Sequence, residues 1–87
     1  MNPKDLTMKL TEDASRLLEA IEHASKQPVS RAQIADKIGK RTLSAGDLAY
    51  LDMLAINGVI AKEEHKARTP TGFQYKYRFI SRERIEE

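Results

Sequence analysis

VSRAQIADKIGKRTLSAGDLAYLDMLAINGVI, residues 29–60, carries two helix starts and two helix stops. Ser30 and Gln33 have the spacing of a capping box. There the serine hydroxyl accepts a backbone N–H three residues on, and the glutamine reaches back to the serine N–H. Val29 before the cap and Ile34 after it have the spacing of a hydrophobic staple. Ile34, Ala35 and Ile38 make a short apolar face, and Gly39 supplies a left-handed stop. The pattern predicts a helix over residues 31–38. Ser44 and Asp47 repeat the device, with Leu43 and Leu48 as the second staple. Leu48, Leu51, Leu54 and Ala55 share one face, and Asn57-Gly58 ends a helix predicted over 45–57. Between the two lies a tight basic link, Gly39-Lys40-Arg41-Thr42-Leu43.

Upstream, Leu10, Ala14, Leu17, Leu18, Ile21 and Ala24 fall on one helical stripe. Thr11 suits the N-cap, and Glu12 and Asp13 suit the positive end of the helix dipole, so a helix is predicted over 10–25. Residues 1–9 are polar and aperiodic and are expected to form a flexible arm. Downstream, the period changes from helical to two. Residues 59–67 are expected to pair antiparallel with 73–80, with Lys62–Lys66 fraying at the end. Thr69-Pro70-Thr71-Gly72 has the residues that a type I turn prefers. Phe73, Tyr75, Tyr77 and Phe79 alternate with Gln74, Lys76 and Arg78, as in a strand with aromatics inward. Residues 81–87 read as a short tail. The expected organisation is one domain over 10–80, of α+β class: three helices followed by a β-hairpin.

Composition narrows the function classes. At 87 residues the chain has room for one modest core. It has no cysteine, hence no disulfide framework and no thiolate metal site. No apolar run is long enough to span a membrane, and Met1–Leu6 lacks the basic-then-apolar pattern of a secretion signal. A cytoplasmic location is expected. His23 and His65 are the only histidines and stand far apart, so no metal or other cofactor is expected. The acids read as caps, such as Asp47, or as solvated faces, such as Glu19 and Glu22. No positioned acid–base pair or nucleophile emerges, so no enzymatic activity is expected.

Net charge is only +2, but its distribution is uneven. Residues 26–41 hold Lys26, Arg31, Lys37, Lys40 and Arg41 against Asp36 alone. Residues 62–78 hold Lys62, Lys66, Arg68, Lys76 and Arg78 against Glu63 and Glu64. Two basic blocks separated by an acidic one point toward a polyanionic partner.

Helix, short capped helix, tight turn, longer helix and basic hairpin together resemble the winged helix-turn-helix family over residues 10–80. Two stretches carry the resemblance. Residues 29–39 are similar to the family's second helix, with its "I-A-x-x-I-G" core, and residues 51–60 to its "L-x-x-L-x-x-x-G-x-I" exit into the wing. The resemblance implies binding to double-stranded DNA, as in a small transcriptional or replication regulator. It places the third helix in the major groove, with Tyr50 on its DNA side. It assigns phosphate contacts to Arg31, Lys40, Arg41, Thr42 and Ser44, and wing contacts to Lys66, Arg68, Thr69 and Lys76.

The third helix departs from that pattern. Its outward positions, Ala45, Gly46, Ala49, Tyr50, Met53 and Ile56, include no Arg, Lys, Asn or Gln to read bases by paired hydrogen bonds. Ala49, Met53 and Ile56 instead form a second apolar stripe, a candidate partner interface for a protein or for a second copy in a homodimer. Two classes stay open: a DNA-binding module, either non-specific and shape-based or touching thymine methyl groups through that face, and a protein-interaction module using the apolar face of the third helix. The aromatic row is expected to fill the core before it serves as a stacking platform for single strands.

Overall fold

The computed structural model describes residues 8–24 and 27–86. The expected arm over residues 1–7, Lys26 of the first basic block and Glu87 of the tail lie outside them. The described residues form an α+β domain. In chain order they are β1 (Met8–Lys9), α1 (Glu12–His23), β2 (Val29–Ser30), α2 (Arg31–Lys37), α3 (Ala45–Ile56), β3 (Ile60–Lys66), β4 (Phe73–Phe79) and β5 (Ile85–Glu86).

The capping signals act as their spacing predicts. The Thr11 hydroxyl accepts from the Ala14 N–H and starts α1, which begins two residues later than the apolar stripe. Both capping boxes form: Ser30 with Gln33 ahead of α2, and Ser44 with Asp47 ahead of α3. Both helices also end alike. Past α2, Gly39 takes φ +77°, and the Lys40 and Gly39 N–H groups donate to the Ala35 and Asp36 carbonyls. Past α3, Gly58 takes φ +76°, and the Val59 and Gly58 N–H groups donate to Leu54 and Ala55. Each is a Schellman closure, which needs a residue in the left-handed region that glycine enters at little cost.

The expected two-stranded hairpin is part of a three-stranded antiparallel sheet with strand order β2-β4-β3. β3 and β4 pair from Ile60↔Phe79 to Lys66↔Phe73, so Lys62–Lys66 is strand rather than a frayed end. The added strand is β2, with Val29 opposite Tyr77 and Ser30 opposite Lys76. Two residues are too few to show a period, and Val29 served in the sequence only as a staple before the cap. A second pairing joins the expected arm to the expected tail: Met8 lies opposite Ile85 and Lys9 opposite Glu86, in parallel. Ile85 is buried, and Arg82 ties the same segment to α1 through two 2.8 Å hydrogen bonds to Glu22. Glu22 is thus an anchor rather than part of a solvated face, and its carboxyl is held below the usual range by the bonded guanidinium.

The core lies where α1, α2, α3 and the sheet meet. Leu17, Leu18 and Ile21 from α1, Ile34 from α2, Leu51 and Leu54 from α3, and Val59, Ile60 and Tyr77 from the hairpin are fully buried. Burying a side chain of this size stabilises the fold by roughly 1.5–3 kcal/mol each. Of the aromatic row, Tyr77 is fully buried, while Tyr75 and Phe79 pack on the core edge. Because side chains alternate across a strand, Ile60, Lys62, Glu64, Lys66, Phe73, Tyr75, Tyr77 and Phe79 share the helix-facing side of the sheet. Ala61, Glu63, His65, Gln74, Lys76 and Arg78 share the other. No helix among the described residues is long and apolar enough to cross a membrane.

Candidate nucleic-acid interface

The cations of the two basic blocks fall into two sets, those held by the fold and those left to solvent. Lys40 belongs to the first. Its Nζ donates to both Asp47 oxygens, at 3.2 and 2.9 Å, and the Ser44 N–H donates to the same carboxylate at 2.9 Å. Asp47 is the one buried charged residue among those described, 4% exposed. The ammonium group and the cap N–H hold its carboxyl below the ordinary aspartate range. Asp47 therefore closes the capping box and also clamps the link between α2 and α3. Ser44 is likewise committed, since its hydroxyl accepts the Asp47 N–H at 3.1 Å.

Arg31 is held as well. It is the first residue of α2, half-buried, and its Nε donates to the Tyr77 hydroxyl at 3.0 Å. That bond satisfies the polar end of a buried tyrosine. The guanidinium carbon also lies 5.0 Å from the centre of the Tyr75 ring. Lys62 approaches the same ring, with Nζ 4.3 Å from its centre, and bonds Asp52 of α3 at 3.2 Å. On the opposite side of the sheet Glu63 accepts from His65 at 2.9 Å and from Arg78 at 3.1 Å, and these bonds hold its carboxyl low.

Arg41 and Thr42 in the α2–α3 link, and Lys66 and Arg68 at the end of the hairpin, are exposed and make no ion pair or side-chain hydrogen bond among the described residues. Thr69 beside Arg68 is exposed too, but its hydroxyl caps the Phe73 carbonyl at 2.9 Å. Lys76 is half-buried on the sheet side away from the helices, opposite Glu63 and Ser30. The structure therefore gathers Arg31 with Lys62, and Lys66 with Arg68 and Thr69. It separates Lys76 from Arg31 by the thickness of the sheet.

The outward face of α3 is nearly as apolar as its sequence reads. Ala45, Gly46 and Ala49 are exposed, Met53 is 46% and Ile56 84% exposed. Tyr50 is half-buried and packs against the core, so it turns partly away from that face. Asp52, which the sequence pattern did not single out, is exposed there and carries its one charge. Sequence reasoning also missed Lys62 and Tyr75. The signal was present, because Lys62 shares the parity of Ile60, and Tyr75 that of Tyr77.

Among the described residues no three His, Cys, Asp or Glu side chains cluster as metal ligands. Comparison with protein-family models, with curated proteins and with solved structures finds no match to this chain.

Proposed function

We propose that the chain binds double-stranded DNA as a winged-helix domain and holds the phosphate backbone without reading bases, as a component of transcriptional or replication control. One observation carries the proposal: Arg41, Lys66 and Arg68 stand exposed without an internal partner, in the two turns that the resemblance assigns to phosphate. Cations left in solvent are available to displace condensed counterions, whereas Lys40 must first leave Asp47. The α3 surface supports the second half of the proposal. Its exposed positions carry no Arg, Lys, Asn or Gln to read bases by paired hydrogen bonds, and Asp52 is engaged by Lys62. The small residues Ala45, Gly46 and Ala49 let the helix backbone come close to a groove wall, a contact that depends on shape rather than sequence.

The test is a salt titration of binding to duplexes of unrelated sequence. Affinity should fall steeply with salt and be nearly equal across sequences. Joint substitution Arg41→Gln, Lys66→Gln and Arg68→Gln should flatten the log–log slope by about 0.9 for each phosphate no longer neutralised. Absence of duplex binding at low salt would overturn the proposal. A second reading is favoured by the exposure of Met53 and Ile56: a protein partner, or a second copy, seated on the outward face of α3. On that reading Met53→Glu abolishes function while the triple substitution leaves it intact.

A further inference from the structure

We propose that Arg31 and Lys62, both held against the Tyr75 ring, form a third grip on the DNA backbone beside the two turns. The site rests on the DNA reading above and adds Lys62 and Tyr75, which no motif pointed to, to Arg31, which the resemblance assigns to phosphate. Two cations from separate elements converge on one aromatic ring, with Arg31 Cζ 5.0 Å and Lys62 Nζ 4.3 Å from its centre. The ring's negative face attracts each of them, but they repel one another. The carboxylate bonded to the pair is Asp52 on Lys62, whose side chain is 53% exposed, so water screens it.

Each cation is also aimed. Arg31 spends its Nε on the Tyr77 hydroxyl, and its two Nη groups keep no hydrogen-bond partner among the described residues. A guanidinium pinned at Nε presents those groups as a pair, the geometry that matches two oxygens of a phosphodiester. Lys62 is held in place by Asp52 and by the same ring. Phe73 meets Tyr75 edge-on, with centroids 5.4 Å apart at 77°. It extends the half-buried aromatic surface on which deoxyribose can rest. Glu64 bounds the site. It lies opposite Tyr75 on the same sheet side, is exposed, and makes no bond among the described residues. An anion is therefore favoured at Arg31 and Lys62 and disfavoured beside Glu64.

Two features separate this site from a general attraction of positive charge for DNA. Tyr75→Leu changes no charge, yet it should weaken duplex binding roughly threefold through loss of the ring that holds both cations. Arg16→Gln removes a charge from the exposed face of α1, outside both basic blocks, and should leave the salt slope unchanged. Arg31→Gln and Lys62→Gln should each flatten the slope by about 0.9, and Glu64→Gln should raise affinity. The measurement is a salt titration on a short random-sequence duplex, with a thermal melt of every variant. Should Arg31→Gln fail to fold for want of its bond to Tyr77, Lys62→Gln decides alone. If the wild type binds and Arg31→Gln and Lys62→Gln behave like Arg16→Gln, the site is overturned while the DNA reading stands. If the wild type binds no duplex at low salt, both fall.

Discussion

Two turns of this molecule look alike in composition and are built differently. The link between α2 and α3 runs Gly39-Lys40-Arg41-Thr42-Leu43-Ser44; the hairpin end runs Lys66-Ala67-Arg68-Thr69-Pro70-Thr71-Gly72. Each offers a lysine, an arginine and a threonine, and charge counting treats them as equals. In the first, Leu43 packs against the core, Lys40 is clamped on a nearly buried carboxylate, and Ser44 closes a cap. In the second, no side chain joins the core, and the internal bonds are local: Gly72 N–H to the Thr69 carbonyl at 2.9 Å, and threonine hydroxyls to the Phe73 carbonyl. One turn is part of the stable structure and leaves only Arg41 of its two cations to solvent. The other is a platform whose charge does little for the fold.

The sharpest way to break this contrast is Asp47→Ala. It removes three accepted hydrogen bonds and the capping box together, and should lower stability by about 2 kcal/mol. For a domain of this size a thermal melt would show a drop of roughly 8–16 °C. A melt unchanged within error would mean that the first turn is no better anchored than the second. Gly39→Ala comes next, at about 1 kcal/mol. The added methyl group meets nothing within 4 Å, so the cost comes only from forcing φ +77° on a residue with a side chain. Gly58→Val, at the matching position after α3, should cost at least as much.

Acid separates the turns in another way. Because the folded state holds the Asp47 carboxyl below its ordinary range, its contribution is fully present above the unfolded aspartate value and is lost as pH falls through the depressed one. Asp47→Asn should therefore flatten the acid limb of a stability-against-pH curve, whereas no change in the hairpin end should touch it. The smallest effect on folding belongs to Arg68→Gln, less than about 0.5 kcal/mol, and this is the point of the contrast. A larger loss, seen in the melt, would show that the hairpin end is tied to the fold after all. In duplex binding the order should reverse, with Arg68→Gln weakening affinity although it leaves the melt alone.

How much of this was legible beforehand follows from the range over which each signal acts. Caps and Schellman ends are decided within about six residues, so the boundaries of α2 and α3 could be read almost to the residue. The hairpin was legible because seven-residue strands show their period. Strands of two residues show none, so β2 and the β1–β5 pair were hidden. For the site, charge counting located the basic blocks but could not see which cations had internal partners. Lys40 and Asp47 are seven residues apart, Arg31 and Tyr77 forty-six, and Lys62 and Asp52 ten. Only folding brings them together, and it removes two of the expected phosphate ligands, Lys40 and Ser44, from the freely available set.

The parallel pairing of Met8 with Ile85 and Lys9 with Glu86 has a consequence for how the chain can be rewired. Strand neighbours lie about 5 Å apart, but parallel ones need a crossover, so a linker of about a dozen residues from beyond residue 86 back to residue 8 would be needed to close the domain into a ring. A new opening could then be cut in the exposed loop over residues 67–72, where the backbone bonds are local. In such a permuted order β4 would come first and β3 last, and the sheet would be assembled from the two extremes of the chain. The domain would then test whether its capped helices can organise the core before the hairpin closes.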